Sequence, residues 1–121
     1  MRLQNNMITN ITEDILDKLE CRCEKITYTA SADLFYEGQV PVVAYLILSG
    51  NVHLMKKKKV IETLGSGTLI GAKELLHGSN VDYTAVIMPQ TRVCFLSRSD
   101  IAEIMNEDSK FSEDFNQLIA V

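Results

Sequence analysis

The sequence predicts a mainly β fold, a sandwich or jelly roll, with short helices at both ends. Two observations carry this expectation. From about residue 21 to 97, short apolar runs recur at close intervals, each closed by a turn signal. Helical spacing of apolar residues is confined to the two ends and to one turn near residue 72. Size and composition bound the rest. A chain of 121 residues suits one domain, since domains most often run to about 100–150 residues. With 46% apolar and 23% charged residues the balance is that of a globular protein, and disorder is excluded.

The elements follow in order. A helix is expected over about 11–20: Asn10 or Thr12 can cap it, Glu13 and Asp14 suit its first turn, and Ile11, Ile15, Leu16 and Leu19 share a face. Cys21 to Tyr28 partly alternates and reads as a strand, with small and polar residues from Ala30 to Asp33 after it. Leu34-Phe35-Tyr36 runs into Glu37-Gly38-Gln39, and Val42 to Leu48 runs into Ser49-Gly50-Asn51. Val52 to Met55 and Val60 to Leu64 flank Lys56, Lys57, Lys58 and Lys59, which read as a hairpin tip. After the turn Gly65-Ser66-Gly67, a helical turn is expected over 72–77. Thr84 to Met88 and Arg92 to Leu96 form a second hairpin around Pro89-Gln90-Thr91. Two closing helices are expected, over 99–106 with Ser99 or Asp100 as cap, and over 112–120 with Ser112 as cap. Neither a repeat nor a linker interrupts the chain, so residues 1–121 read as one domain.

Three fragments in this order are specific. Phe35-Tyr36-Glu37-Gly38-Gln39, then Ala44 to Val52, then Gly65 to Gly71 resemble the cyclic-nucleotide-binding domain. That domain is the sensor half of regulators of the catabolite activator and fumarate-nitrate regulator type. The resemblance runs from about Thr12 to Met105 and implies a double-stranded β-helix (jelly roll) with a regulatory rather than an enzymatic role. Gly38, Gly50, Gly67 and Gly71 each follow a strand-like run, and turn geometry alone accounts for them.

The resemblance also implies where ligand chemistry would sit. The family's cassette reads Gly-Glu, a short helix, then Arg-Ser/Thr-Ala. Backbone N–H groups and the arginine fork hold the cyclic phosphate, while the glutamate accepts from the ribose hydroxyl. Here Gly71 is followed by Ala72, and Glu74 lies two residues on, roughly on another side of the turn. The arginine slot falls on Asp82 or Tyr83, and Tyr83-Thr84-Ala85 keeps the Thr-Ala part. Lys73 is the nearby helical cation, of a kind that usually faces water. Losing one partner of a buried charged pair costs about 2–5 kcal/mol, or roughly 30-fold to several thousand-fold in affinity. Cyclic nucleotide binding in the usual way is therefore disfavoured, and no cofactor is expected. The candidate pocket residues are Gly71, Ala72, Lys73, Glu74, Asp82, Tyr83 and Thr84.

Other function classes are weaker. A net charge of −4 argues against nucleic acid as a partner of the whole surface. The family's regulators usually continue into a helix-turn-helix, and no such segment is present up to Val121. Neither a secretion signal nor a transmembrane run occurs, and three cysteines (Cys21, Cys23 and Cys94) do not suit a disulfide framework, so a cytoplasmic setting is expected. Those cysteines with His53 or His77 lack metal-knuckle spacing and read as small buried hydrophobes and surface histidines, with no metal. Ser49-Gly50 and Ser66-Gly67 are turn chemistry, not a nucleophile signature. Two surfaces remain: the lysine tip, which reads as a solvated loop guarding the strand ends or as a dock for an acidic protein or an anionic lipid surface, and the stripe Phe111, Phe115, Leu118 and Ile119, which reads as a mixture of core cover and partner-facing seam, the resemblance implying a homodimer through this helix. A ligand sensor with a remodelled pocket, as the sensor part of a transcription regulator or by itself, is the alternative reading.

Overall fold

The alternating runs close into two antiparallel sheets, described over residues 8–20 and 22–119 in a computed structural model. In chain order the elements are β1 (Ile8–Asn10), α1 (Glu13–Glu20), β2 (Glu24–Tyr28), β3 (Ala32–Phe35), β4 (Val43–Ser49), β5 (Val52–Lys56) and β6 (Lys59–Leu64). They continue with β7 (Thr68–Ile70), α2 (Ala72–His77), β8 (Thr84–Ile87), β9 (Thr91–Ser97), α3 (Arg98–Met105) and α4 (Lys110–Ile119). One sheet runs β1-β7-β4-β9-β2 and the other β3-β8-β5-β6. The chain changes sheet at β2–β3, β3–β4, β4–β5, β6–β7, β7–β8 and β8–β9, which makes the fold a jelly roll with short flanking helices; β8 and β9, expected as a hairpin, therefore pair in different sheets.

Alternation explains the layers. In β4, Ala44 and Leu46 join Leu69, Cys94 and Leu96 in a core shared with Ile15, Leu19, Ile101, Ile104 and Phe115 of the helices. Ile47 from the opposite face joins Ile70, Val93, Val52, Leu54 and Ile87 in a second core between the sheets. A strand covered on both faces is written as a near-continuous apolar run, and Val42 to Leu48 is such a run.

The structure moves several expected boundaries. Ile8–Asn10 forms a strand that the sequence reading passed over, pairing Ile8 with Ile70 and Asn10 with Thr68. Ile11 then donates its N–H to the Gly67 carbonyl at 2.7 Å, so the first helix starts at Glu13 rather than at residue 11. The strand expected from Cys21 starts at Glu24, because the Cys23 N–H still bonds the Leu19 carbonyl at 3.2 Å at the helix end. Cys21 lies outside the described residues. Ser97, not Ser99 or Asp100, caps α3: its side chain accepts from the Asp100 N–H at 3.1 Å, and its own N–H donates to the Asp100 carboxylate at 2.8 Å. The last helix starts at Lys110, with Ser109 accepting from the Ser112 N–H at 3.1 Å, while Ser112 itself is buried and donates to the Met105 carbonyl.

Candidate functional site

The cassette begins where β7 turns sharply into α2. Gly71 has φ +83°, and a Cβ there would stand 2.8 Å from Phe35 Cζ, so only glycine fits this corner. Phe35 is itself buried and packs edge-on against Tyr45, with ring centroids 5.4 Å apart. The first residues of the cassette thus rest on an aromatic pair inside the roll. Ala72 follows at 2% exposure, packed with Leu75 into the helix-side core.

Glu74 is also turned inward, at 6% exposure, and among the described residues its Oε1 has no hydrogen-bond partner. Burial raises its carboxyl above the ordinary value and Asp82 adds to that, while a hydrogen bond from its own backbone amide, then Lys73 and His77, oppose it. Lys73 is half-buried and His77 exposed at the helix end. Gly78, in the left-handed region, closes α2 by donating its N–H to the Glu74 carbonyl.

The segment leaving α2 is fastened to the β3–β4 connection. Val81 donates to the Gln39 carbonyl and accepts from the Gly38 N–H, both at 2.9 Å, and the Asn80 side-chain amide reaches the Gly38 carbonyl. Thr84 Oγ1 accepts from the Glu37 N–H at 3.0 Å. Side-chain placement here differs from expectation. Asp82 is exposed, Tyr83 is half-buried and packs against the core between the sheets, and Val81 enters that core at 1% exposure. One signal in the sequence pointed to it: Val81 is the apolar residue in an otherwise polar stretch from His77 to Asp82.

A cation does stand beside Tyr83. Met55 pairs with Thr84 across β5 and β8, and one residue further along Lys56 places its Nζ 5.2 Å from the Tyr83 ring centroid. Lys56 is therefore half-buried rather than part of a freely solvated tip. Nothing in the spacing of these two residues announces the contact, which depends on strand register. Lys57 and Lys58 form the tip proper, with φ of 53° and 64°, and Lys59 pairs with Lys56 at the start of β6.

The remaining candidates sort by burial. Phe111 and Phe115 are 7% and 0% exposed, packed in the helix-side core, with Lys18 Nζ and Arg22 Cζ 5.5 and 5.4 Å from the Phe111 ring centroid. Burial withdraws both from the interaction surface expected of the stripe. The side chains of Leu118 and Ile119 lie outside the described residues. Cys94 is buried and Cys23 half-buried, both as free thiols; a hydrogen bond with Cys94, followed by burial, pushes the Cys23 thiol up. Among the described residues no group of three His, Cys, Asp or Glu side chains could hold a metal ion. Among them, too, no helix is long and apolar enough to cross a membrane.

The family model described as cyclic nucleotide-binding domain matches residues 25–108, and the chain belongs to that family. Among solved structures it is similar to the catabolite activator protein of Thermus thermophilus, with a TM-score of 0.70, 23% identity, and 90% of this chain and 54% of that one covered. A cyclic nucleotide-binding-like protein from Brucella abortus bv. 1 str. 9-941 gives a TM-score of 0.65 and 29% identity, over 79% of this chain and 86% of that one. A structure from a cyclic-GMP-dependent signalling pathway regulating bacterial phytopathogenesis gives 0.76 and 20% identity, over 90% of each chain. The chain thus spans about half the length of the Thermus activator, at 54%. No curated protein matches it.

Proposed function

We propose that this chain is a non-enzymatic regulatory module of the cyclic-nucleotide-binding fold that does not take cyclic AMP in the usual way and acts through contacts with other proteins in the cytoplasm. The observation that carries the reading is at the two anchor points. Ala72 follows the corner glycine and is 2% exposed, which leaves no carboxylate for a ribose hydroxyl. At the far end of the cassette the arginine slot, on Asp82 or Tyr83, holds an exposed carboxylate or a half-buried phenol packed against the core between the sheets, which leaves no guanidinium for a phosphate. An anion placed there would lose its water with no guanidinium fork to replace it. The apolar packing of Phe35, Ile70, Val81 and Ala85 in the same core supports this.

Support for protein contacts comes from the β3–β4 connection. Tyr36, Val40 and Val42 are 62%, 44% and 76% exposed on a segment fastened to the cassette by the hydrogen bonds of Gly38, Gln39 and Glu37. An ordered apolar loop tied to the sensor element suits a partner that reads the state of that element. A second reading has one observation in its favour: Lys56 at Tyr83 is a cation that a remodelled pocket would use toward an anionic ligand.

Thermal melts with cyclic AMP and cyclic GMP test both readings on the parent chain and on two repaired variants, Ala72→Glu with Tyr83→Arg and Ala72→Glu with Val81→Arg. The parent is expected to show no shift, and restored anchors are expected to produce one in the variant whose arginine faces the roll. A parent stabilised by roughly 2.7 kcal/mol, the effect of ligand at a hundred times its Kd, overturns the proposal. If that stabilisation also disappears in Lys56→Ala, the remodelled pocket replaces it.

A further inference from the structure

We infer that the β5–β6 hairpin tip, Lys57, Lys58 and Lys59 with the adjoining Val60 and Ile61, docks on an anionic phospholipid surface. The turn is the first reason. Both central residues have positive φ, 53° at Lys57 and 64° at Lys58, the mark of a two-residue type I′ turn that favours Asn-Gly. Lysine at both positions is strained backbone. Local folding therefore does not ask for lysine here, whereas display of charge does.

The second reason is what the tip presents. Lys57, Lys58 and Lys59 are exposed, and none of them enters an ion pair among the described residues, where the pairs are Arg22–Glu107 and Lys110–Asp114. Val60 and Ile61 follow directly, at 49% and 43% exposure, on the outer strand of the four-stranded sheet. Cations next to exposed β-branched side chains at a hairpin tip match headgroup phosphates above an acyl boundary. The chain as a whole carries −4, but charge further than about 8–10 Å from the headgroups is largely screened at physiological salt, so the adjacent lysines weigh most in the local field.

Two features argue against a peptide partner. The β5–β6 register shifts between Leu54 and Met55, leaving Ile61 as the extra residue of a bulge, and a bulge breaks the regular ladder that an added strand needs. The cations are all lysine. Lysine is a compact point charge that reads charge density, whereas a shaped carboxylate or phosphorylated side chain is better held by the fork of arginine.

Co-sedimentation of the intact chain with phosphatidylglycerol–phosphatidylcholine vesicles, against pure phosphatidylcholine vesicles, tests the inference. At about fivefold per lysine, three lysines give roughly hundredfold tighter binding to the anionic vesicles, and molar salt abolishes the difference. Lys57→Asn with Lys58→Gly installs the residues the turn favours and leaves Lys56 on Tyr83. Its thermal midpoint is expected to rise while its affinity for anionic vesicles falls roughly 25-fold. Equal binding to both vesicles, no binding to either, or undiminished binding by this double variant overturns the inference. Binding to polyglutamate without binding to vesicles also overturns it, and assigns the tip to an acidic protein instead. None of these outcomes touches the cassette, so the nucleotide question stands or falls separately.

Discussion

Lys56 and Tyr83 are joined by strand register: Met55 lies opposite Thr84, and one step beyond that pair the Lys56 ammonium stands 5.2 Å from the centroid of the phenol ring. The contact ties the β5–β6 hairpin to the end of the cassette. A cation–π contact of this kind is worth about 0.5–1 kcal/mol where it is partly exposed. Lys56→Ala and Tyr83→Leu are each expected to lower the unfolding free energy in urea. Combined, they should lose less than the sum of the two, by about 0.5 kcal/mol or more. Additive losses would mean that the two groups do not interact in solution.

Glu74 gives a pH dependence with a definite sign. Burial raises its folded-state pKa above the ordinary value of 4.5, so the folded chain holds that proton more tightly than the unfolded chain. As pH rises from 4.5 through the raised value, the unfolded state releases its proton first and folding stability falls. Above the raised value the full penalty of an ionised, partly unsatisfied carboxylate remains. Glu74→Gln is expected to melt at a higher temperature than the parent at neutral pH, with the difference vanishing below about pH 4.5. A variant less stable than the parent at pH 7 would show that the carboxylate is satisfied in solution.

Phe115 decides what the last helix is for. Its side chain is wholly buried among Ile15, Leu19 and Ile104, in the core that joins α1 and α3 to the five-stranded sheet. Phe115→Ala is expected to cost about 3–5 kcal/mol in urea unfolding, the usual range for a buried phenylalanine. A loss below about 1 kcal/mol would assign the helix to an interface instead.

The sequence made the β character, the lysine hairpin and the 72–77 helical turn legible, because each is written in local periodicity or turn chemistry. β1 was not legible: three residues carry no usable period, and their strand conformation comes from pairing with β7. The caps at Ser97 and Ser109 were displaced by a residue or more because serines at 97, 99, 109 and 112 all offer the same side-chain chemistry, and geometry chooses among them. In the cassette, the glycine corner and Ala72 could be read directly, whereas the inward turn of Val81 and the approach of Lys56 are products of the loop fastening and of strand register. Which part of the stripe is core cover and which faces a partner was not legible, because amphipathic spacing does not say whether the covering surface belongs to the same chain; burial gives Phe111 and Phe115 to the core.

Isothermal titration of cyclic AMP into the unmodified chain at neutral pH tests the central claim most directly. The expected result is no saturable heat at any concentration at which a signalling nucleotide acts, since Ala72 offers nothing to the ribose and neither Asp82 nor Tyr83 offers a guanidinium to the phosphate. A one-site isotherm with a micromolar dissociation constant would contradict it.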